Sequence, residues 1–111
     1  MKYFCTEDER EGTCYHEFYK GKWDNKTFWK EDSLLLDDDN MFYHTQFGKI
    51  LREVIPEYDP YDEIEMLPIH WEKIIEQAKT FGDKESELVN EANTWMQETF
   101  KEYGIVTILG L

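Results

Sequence analysis

The spacing of apolar and polar side chains changes part-way along the chain. Over residues 1–37, apolar and aromatic residues form short, partly alternating runs, namely KYFCT, TCYHEFYKG, KWDNKTFWK and SLLLD, which are separated by glycine, aspartate and asparagine. Short runs rich in aromatic residues and bounded by turn formers are typical of β-strands. The N-terminal third is therefore predicted to be an antiparallel meander with strands at 2–6, 13–21, 22–30 and 33–37.

Beyond residue 40, the apolar residues recur at intervals of three and four, which indicates helices with one buried face. Helices are predicted over 40–55, 68–81 and 83–103. Asp39 or Asn40 is expected to cap the first helix, since short polar side chains accept hydrogen bonds from free N–H groups at a helix start. A proline stands at the first position of the second helix, and a glycine follows both the second and the third.

The last residues, IVTILGL at 105–111, are apolar at nearly every position, which predicts a strand buried on both faces inside the sheet. The stretch 57–65 is predicted to be irregular or extended, because Pro60 argues against a central strand. The fold class that follows is α+β. A single domain over 1–111 is predicted, with one antiparallel sheet (the N-terminal meander plus the C-terminal strand) packed on one face by about three α-helices.

The net charge is −13, and aromatic residues make up 16% of the chain. Nucleic acid and anionic membranes are therefore not expected as partners, because both are bound through lysine and arginine. A basic protein is the expected partner, since opposite charge accelerates its encounter. Exposed tyrosines would supply anchoring area of the kind that is enriched at protein interfaces. The alternative is that the charge serves only solubility.

The excess negative charge is concentrated in one third of the chain. Residues 31–65 carry eleven acidic and two basic residues, a net charge of −9, whereas residues 1–30 are balanced. Two segments hold most of it, 31–39 and EYDPYDEIE at 57–65, and they flank the first predicted helix. If the two segments meet, they would form an acidic rim around Tyr43, Tyr58 and Tyr61; otherwise they are two separate solvated loops. The predicted partner-binding residues are Asp37, Asp38, Glu57, Tyr58, Asp59, Tyr61, Asp62, Glu63 and Glu65.

Two candidate metal sites are weak. Cys5, Cys14 and His16 have the spacing C-x8-C-x-H, which lacks a fourth ligand and the closer pairs of structural zinc sites. The two cysteines are instead expected to be reduced packing residues, or to face each other across a hairpin where they would bridge under oxidising conditions. The run of aspartates before Asn40 resembles a strand end that could hold Mg²⁺, but no nucleophile or phosphate-binding glycine follows it. No metal, cofactor or catalytic residue is predicted.

The N-terminal sequence MKYFCTEDERE reaches acidic residues at position 7 without an apolar stretch. Secretory signals need such a stretch, so a cytoplasmic location is expected.

The two acidic segments, the many aromatic residues and the small α+β pattern resemble the immunity proteins of bacterial polymorphic and contact-dependent growth inhibition toxins. The resemblance is one of overall character across the chain, carried by residues 31–39 and 57–65, and it includes no defining motif. It departs from the all-helical colicin immunity proteins in its N-terminal strands, and from the element order of barstar. The resemblance implies a cytoplasmic protein that binds its cognate toxin domain one to one. The acidic charge favours a basic toxin, in the leading case a nuclease, whose groove is positive because it holds phosphate. No enzymatic activity is predicted.

Two other functions stay open at this stage. A DNA-mimicking anti-restriction or anti-defence protein would also be acidic, but it needs a long stripe of carboxylates rather than a compact excess. A small metal-dependent enzyme would use Asp37, Asp38 and Asp39.

Overall fold

A computed structural model describes the whole chain, residues 1–111. Five strands and three α-helices follow one another in the order β1, β2, β3, α1, β4, α2, α3, β5. The strands are β1 (Phe4–Cys5), β2 (Tyr15–Lys20), β3 (Leu34–Asp37), β4 (Glu63–Met66) and β5 (Val106–Leu109), and the helices are α1 (Phe47–Val54), α2 (Pro68–Phe81) and α3 (Asp83–Tyr103). A 3₁₀ turn at Glu7–Glu9 and a π-helical turn at Asn40–His44 complete the regular structure.

The five strands form a single antiparallel sheet in the order β1-β3-β2-β5-β4. The predicted α+β class is therefore confirmed. The C-terminal strand lies between β2 and β4, as its uniformly apolar sequence predicts. The predicted simple meander is wrong, because β3 lies between β1 and β2 rather than following them in order.

One face of the sheet packs against the helices. The strands contribute to this face the side chains of Phe18, Leu34, Leu36 and Ile108. These belong to a core of 22 buried residues that also includes residues from all three α-helices. Trp71 on α2 is completely buried in it, and its indole N–H donates to Asn93 Oδ1 on α3 at 2.9 Å. Burial of apolar area of this kind is the main favourable term in folding.

The opposite face of the sheet is covered by the segment 21–33. The predicted strand at 22–30 is wrong, since this segment has no strand and crosses the sheet as a loop. Glu17 of β2 is the reason for its course, because its buried carboxylate accepts hydrogen bonds from the N–H groups of Trp29 (2.7 Å) and Lys30 (3.0 Å) and from the Ser33 hydroxyl (2.7 Å). A sheet ladder would have used those two backbone groups itself.

The first predicted helix is divided in two. Thr45 has an extended backbone (φ −135°, ψ 172°), so the π-helical turn ends at His44 and α1 begins at Phe47. The Thr45 hydroxyl donates to the Asn40 carbonyl at 2.7 Å and accepts from the Phe47 N–H at 3.2 Å. The predicted capping role of Asp39 or Asn40 is also wrong, since neither side chain caps a helix and the Asn40 amide donates to the Tyr3 carbonyl instead.

The other helix limits agree with the prediction. The second helix begins at Pro68 and ends at Phe81, and the third ends at Tyr103 before Gly104, whose φ of 76° is favourable for glycine. No helix of the protein has both the length and the apolar character needed to cross a membrane.

Candidate protein-binding end of the sheet

The sheet order brings the two acidic segments to the same end of the molecule. One row of paired residues crosses four strands and consists of Leu35 of β3, Glu17 of β2, Leu109 of β5 and Glu63 of β4. β3 therefore ends, at Asp37, at the same end of the sheet at which β4 begins, at Glu63. Since neighbouring strands lie about 4.8 Å apart, β3 and β4 are separated by about 14 Å at this end.

We call this region the acidic end. Its exposed or half-exposed groups are the carboxylates of Asp37, Asp38, Asp39, Glu57, Asp59, Asp62 and Glu63 and the ring of Tyr61. Tyr61 is 75% exposed, which makes it an available anchor for a partner. Of the predicted binding residues, Glu65 is exposed but lies further along β4.

The segment that precedes β4 is held against the end of β5. Gly110 N–H donates to the Asp62 carbonyl at 3.1 Å, and Leu111 N–H donates to the Pro60 carbonyl at 2.8 Å. Within the segment, the Asp59 carboxylate accepts from the Tyr61 N–H and the Asp62 carboxylate from the Glu63 N–H, each at 2.8 Å. These bonds give the acidic end a defined backbone rather than a free loop.

Tyr58 is a correction to the predicted binding residues. Its side chain is only 4% exposed and belongs to the helix-side core, so it cannot offer its ring to a partner. Burial raises the pKa of its phenol, the nearby charge of Arg52 opposes that rise, and the charges of Asp38 and Asp59 add to it. One aspartate from each acidic segment therefore lies near the same hydroxyl, which supports their convergence at the acidic end.

Two further parts of the predicted rim lie elsewhere. Tyr43 is 78% exposed, but it lines a shallow groove with Lys2 and Lys84. Glu31 precedes β3 at the other end of that strand and borders a separate surface hollow with Glu7 and Asp8. The segment 31–39 is thus divided by β3, and only its last three aspartates belong to the acidic end.

Asp38 also holds a buried histidine. Its Oδ1 lies 2.8 Å from Nε2 of His16, which is completely buried, and the edge of the imidazole meets the Phe42 ring with centroids 5.7 Å apart. Nδ1 of His16 is buried without a partner. Burial lowers the pKa of His16, and the hydrogen bond to Asp38 partly opposes that fall. Asp38 therefore has a structural role through its contact with His16, while its half-exposed carboxylate also contributes charge to the surface.

Asp62 and Glu63 form a pair of neighbouring carboxyl groups on the surface. Hydrogen bonds from the side chain and backbone of Glu63 lower the pKa of Asp62, while the same side-chain contact raises the pKa of Glu63. A like charge next to a carboxyl group opposes its ionisation, so a cation close to this pair would favour the ionised form of both groups.

The cysteines do not face each other. β3 lies between β1 and β2, so Cys5 is opposite Leu35, and both thiols are free. This corrects the predicted hairpin arrangement. Burial raises the pKa of the Cys5 thiol, and the charges of Glu9 and Asp37 add to the effect. No group of three or more histidine, cysteine or acidic side chains is arranged to hold a metal ion.

The edge strand β4 is an element beside the acidic end that the sequence analysis did not predict as a strand. Glu63 and Glu65 are exposed, whereas Ile64 is half-buried and Met66 fully buried. That alternation was available in the sequence as a sign of a half-buried strand. On the outer face of the sheet, Glu63 and Glu65 border a groove whose other wall is the loop at Lys22 and Trp23.

Comparisons with protein-family models, with characterised proteins and with solved structures give no match to this chain.

Proposed function

We propose that this protein is an inhibitor that binds a basic protein domain through its acidic end, one to one, in the manner of a toxin-neutralising immunity protein in the bacterial cytoplasm. The observation that carries the proposal is the convergence of Asp37–Asp39 and the 57–63 segment beside one exposed aromatic ring. If the two segments were independent solvated loops, they would have no reason to lie at the same end of the sheet.

Electrostatics suits this end to a basic partner. Carboxylates collected on one surface raise the rate of encounter with a positively charged protein, and a large aromatic side chain at the centre slows release. The grooves of nucleases are positive because they hold phosphate. A nuclease domain is therefore the leading class of partner.

Clustered negative charge also has a cost, because like charges repel one another in the folded state. Hydrogen bonds inside the acidic end offset part of that cost, since Asp59 and Asp62 each accept a backbone N–H. The charges are thus held in a fixed arrangement before any partner arrives, and a preorganised surface loses less entropy on binding.

The proposal is tested by capture from lysates of the cells that produce the protein, with the tagged chain as bait at low and at high salt. We expect one basic protein, captured at low salt and reduced at high salt, whose activity on its own substrate falls when the purified chain is added. The proposal would be contradicted if the captured partner were neutral or acidic, or if the amount captured did not change with salt. It would also be contradicted if the chain left the partner's activity unchanged.

A further inference from the structure

The outer edge of β4 is open. β4 is the last strand in the sheet order, and its only strand partner is β5. The strand at the opposite edge, β1, has two residues, so β4 is the longer of the two edges. An edge strand presents unpaired N–H and C=O groups to which another chain can add.

The pairing with β5 shows which backbone groups of β4 point outward. Gly110 donates to the Asp62 carbonyl, so Asp62 and Gly110 face each other as a hydrogen-bonded pair. In an antiparallel ladder such pairs alternate, so the next ones are Ile64 with Ile108 and Met66 with Val106. The backbone groups of Glu63 and Glu65 therefore point away from β5.

One of these outward groups is already used. The Glu63 N–H donates to the Asp62 carboxylate at 2.8 Å, which closes that end of the edge. The Glu65 N–H and the carbonyls of Glu63 and Glu65 stay open. An added antiparallel strand would bond to Glu65 as its paired residue.

The side chains of β4 define what such a strand would carry. Glu63 and Glu65 are exposed on the outer face beside Lys22 and Trp23, and Ile64 lies on the helix side, packed against the core. Cross-strand neighbours of opposite charge stabilise a sheet, and like charges destabilise it. A complementary strand has basic side chains on one face and apolar side chains on the other.

We infer that the edge of β4 is a docking site for an extended segment of a basic protein, in which basic and apolar side chains alternate. The inference rests on the proposed function and assigns its partner a backbone contact in addition to a charged surface. A second copy of this chain is disfavoured as the occupant, because it would set Glu63 and Glu65 against the same glutamates between two molecules that each carry a net charge of −13.

Amide hydrogen exchange on the ¹⁵N-labelled protein tests the inference directly. The probe is a short synthetic peptide in which lysine and valine alternate, added at low salt. We expect the Glu65 amide, open in the free protein, to exchange more slowly in the presence of the peptide, and no protection from a peptide in which glutamate replaces lysine. A lysine peptide methylated on alternate backbone nitrogens, with the methyl groups facing β4, should not protect it.

Two substitutions at one position separate the backbone from the charge. Glu65→Pro removes the outward N–H, at a place where an edge strand tolerates proline, whereas Glu65→Gln removes only the charge. We expect Glu65→Pro to weaken peptide binding roughly tenfold, as for one lost hydrogen bond, and by more than Glu65→Gln. Circular dichroism of the free variants verifies that both fold. If Glu65→Pro does not fold, the exchange measurement on the unmodified protein still tests the inference.

Several outcomes would overturn the inference. Equal binding to the two variants would do so, as would no binding of the lysine peptide or tight binding of its methylated form. Resonance shifts confined to 57–62, with the Glu65 amide still exchanging freely, would reject strand addition while leaving the acidic end as a binding surface. The capture experiment above decides the proposed function separately, since it does not depend on β4.

Discussion

At the scale of single residues, surroundings decide what a side chain does. Tyr58 and Tyr61 stand three positions apart among the same carboxylates, yet one lies in the core and the other is exposed. Tyrosine has an apolar ring and a polar tip, so its sequence position alone fits either place. The predicted exposure of the ring therefore holds for Tyr61 and fails for Tyr58.

Glu17 is a second case in which the sequence could not give the role. Alternation along β2 assigns it to the face opposite Phe18, where a carboxylate is expected to meet solvent. It is instead buried under the 21–33 loop, with three hydrogen-bond donors around one carboxylate. Those donors are brought to it by the loop, whose course depends on contacts far apart in the chain.

His16 gives a prediction about pH. Its pKa is lowered in the folded protein, so between that value and the ordinary 6.5 the unfolded chain binds more protons than the folded one. Stability contributed by the neutral imidazole is therefore present above pH 6.5 and is lost as the pH falls through this range. We expect the free energy of unfolding, measured with urea, to decrease by up to about 1.4 kcal/mol per pH unit there.

The matched variants for that measurement are His16→Gln and His44→Gln. The first removes the buried titrating group, so the decline just below pH 6.5 should become shallower. The second removes a histidine that is exposed on the surface, and it serves as the control for the loss of one imidazole. Identical pH profiles for His16→Gln and the unmodified protein would rule out this role for His16.

At the scale of elements, the sequence predicts what local periodicity determines. The second and third helices were predictable because each combines a regular apolar stripe with a proline start or a glycine stop. The 22–30 segment was not, because its aromatic residues look like those of a strand while Trp29 adopts a φ of 60° that a strand forbids. The order of strands was also beyond local pattern, since β3 and β5 reach their neighbours from distant parts of the chain.

The contact between β5 and the acidic segment gives a prediction at this scale. A Cβ at position 110 would overlap the Pro60 carbonyl and lie 2.8 Å from the backbone of Asp62. Gly110→Ala should therefore push the 57–62 segment away from β5 and lower the free energy of unfolding by about 1–3 kcal/mol. Urea denaturation measures that loss, and amide resonances of residues 57–63 should shift.

An exposed position on α3 provides the control for this substitution. Thr94→Ala changes a solvent-facing side chain far along the chain from the acidic segment and should leave the same resonances in place. If Gly110→Ala leaves both stability and the resonances of 57–63 unchanged, the segment does not depend on its contact with β5.

At the scale of the whole molecule, the fold changes how the charge is distributed. The sequence places eleven acidic residues in 31–65, but β3 separates Glu31 and Asp32 from Asp37–Asp39. The sheet order then joins the latter to the 57–63 segment. The concentration of charge in one third of the chain was predictable from the sequence. The surface that these charges form could not be predicted, because it depends on the order of the strands.

That division of charge supplies two variants with the same change in net charge. Glu57→Lys with Glu63→Lys reverses two exposed charges at the acidic end. Glu31→Lys with Asp32→Lys reverses two exposed charges before β3, outside that end. A difference between them depends on where the charge lies rather than on how much there is.

The most direct test of the account is the salt dependence of binding between the captured basic partner and these proteins, measured by isothermal titration calorimetry. Affinity of the unmodified protein and of the Glu31/Asp32 variant should fall steeply as salt increases, because screening weakens attraction between charged surfaces. The Glu57/Glu63 variant should bind more weakly at low salt and show a flatter dependence. Equal affinities and equal salt slopes for the two variants would contradict the assignment of the acidic end as the binding surface.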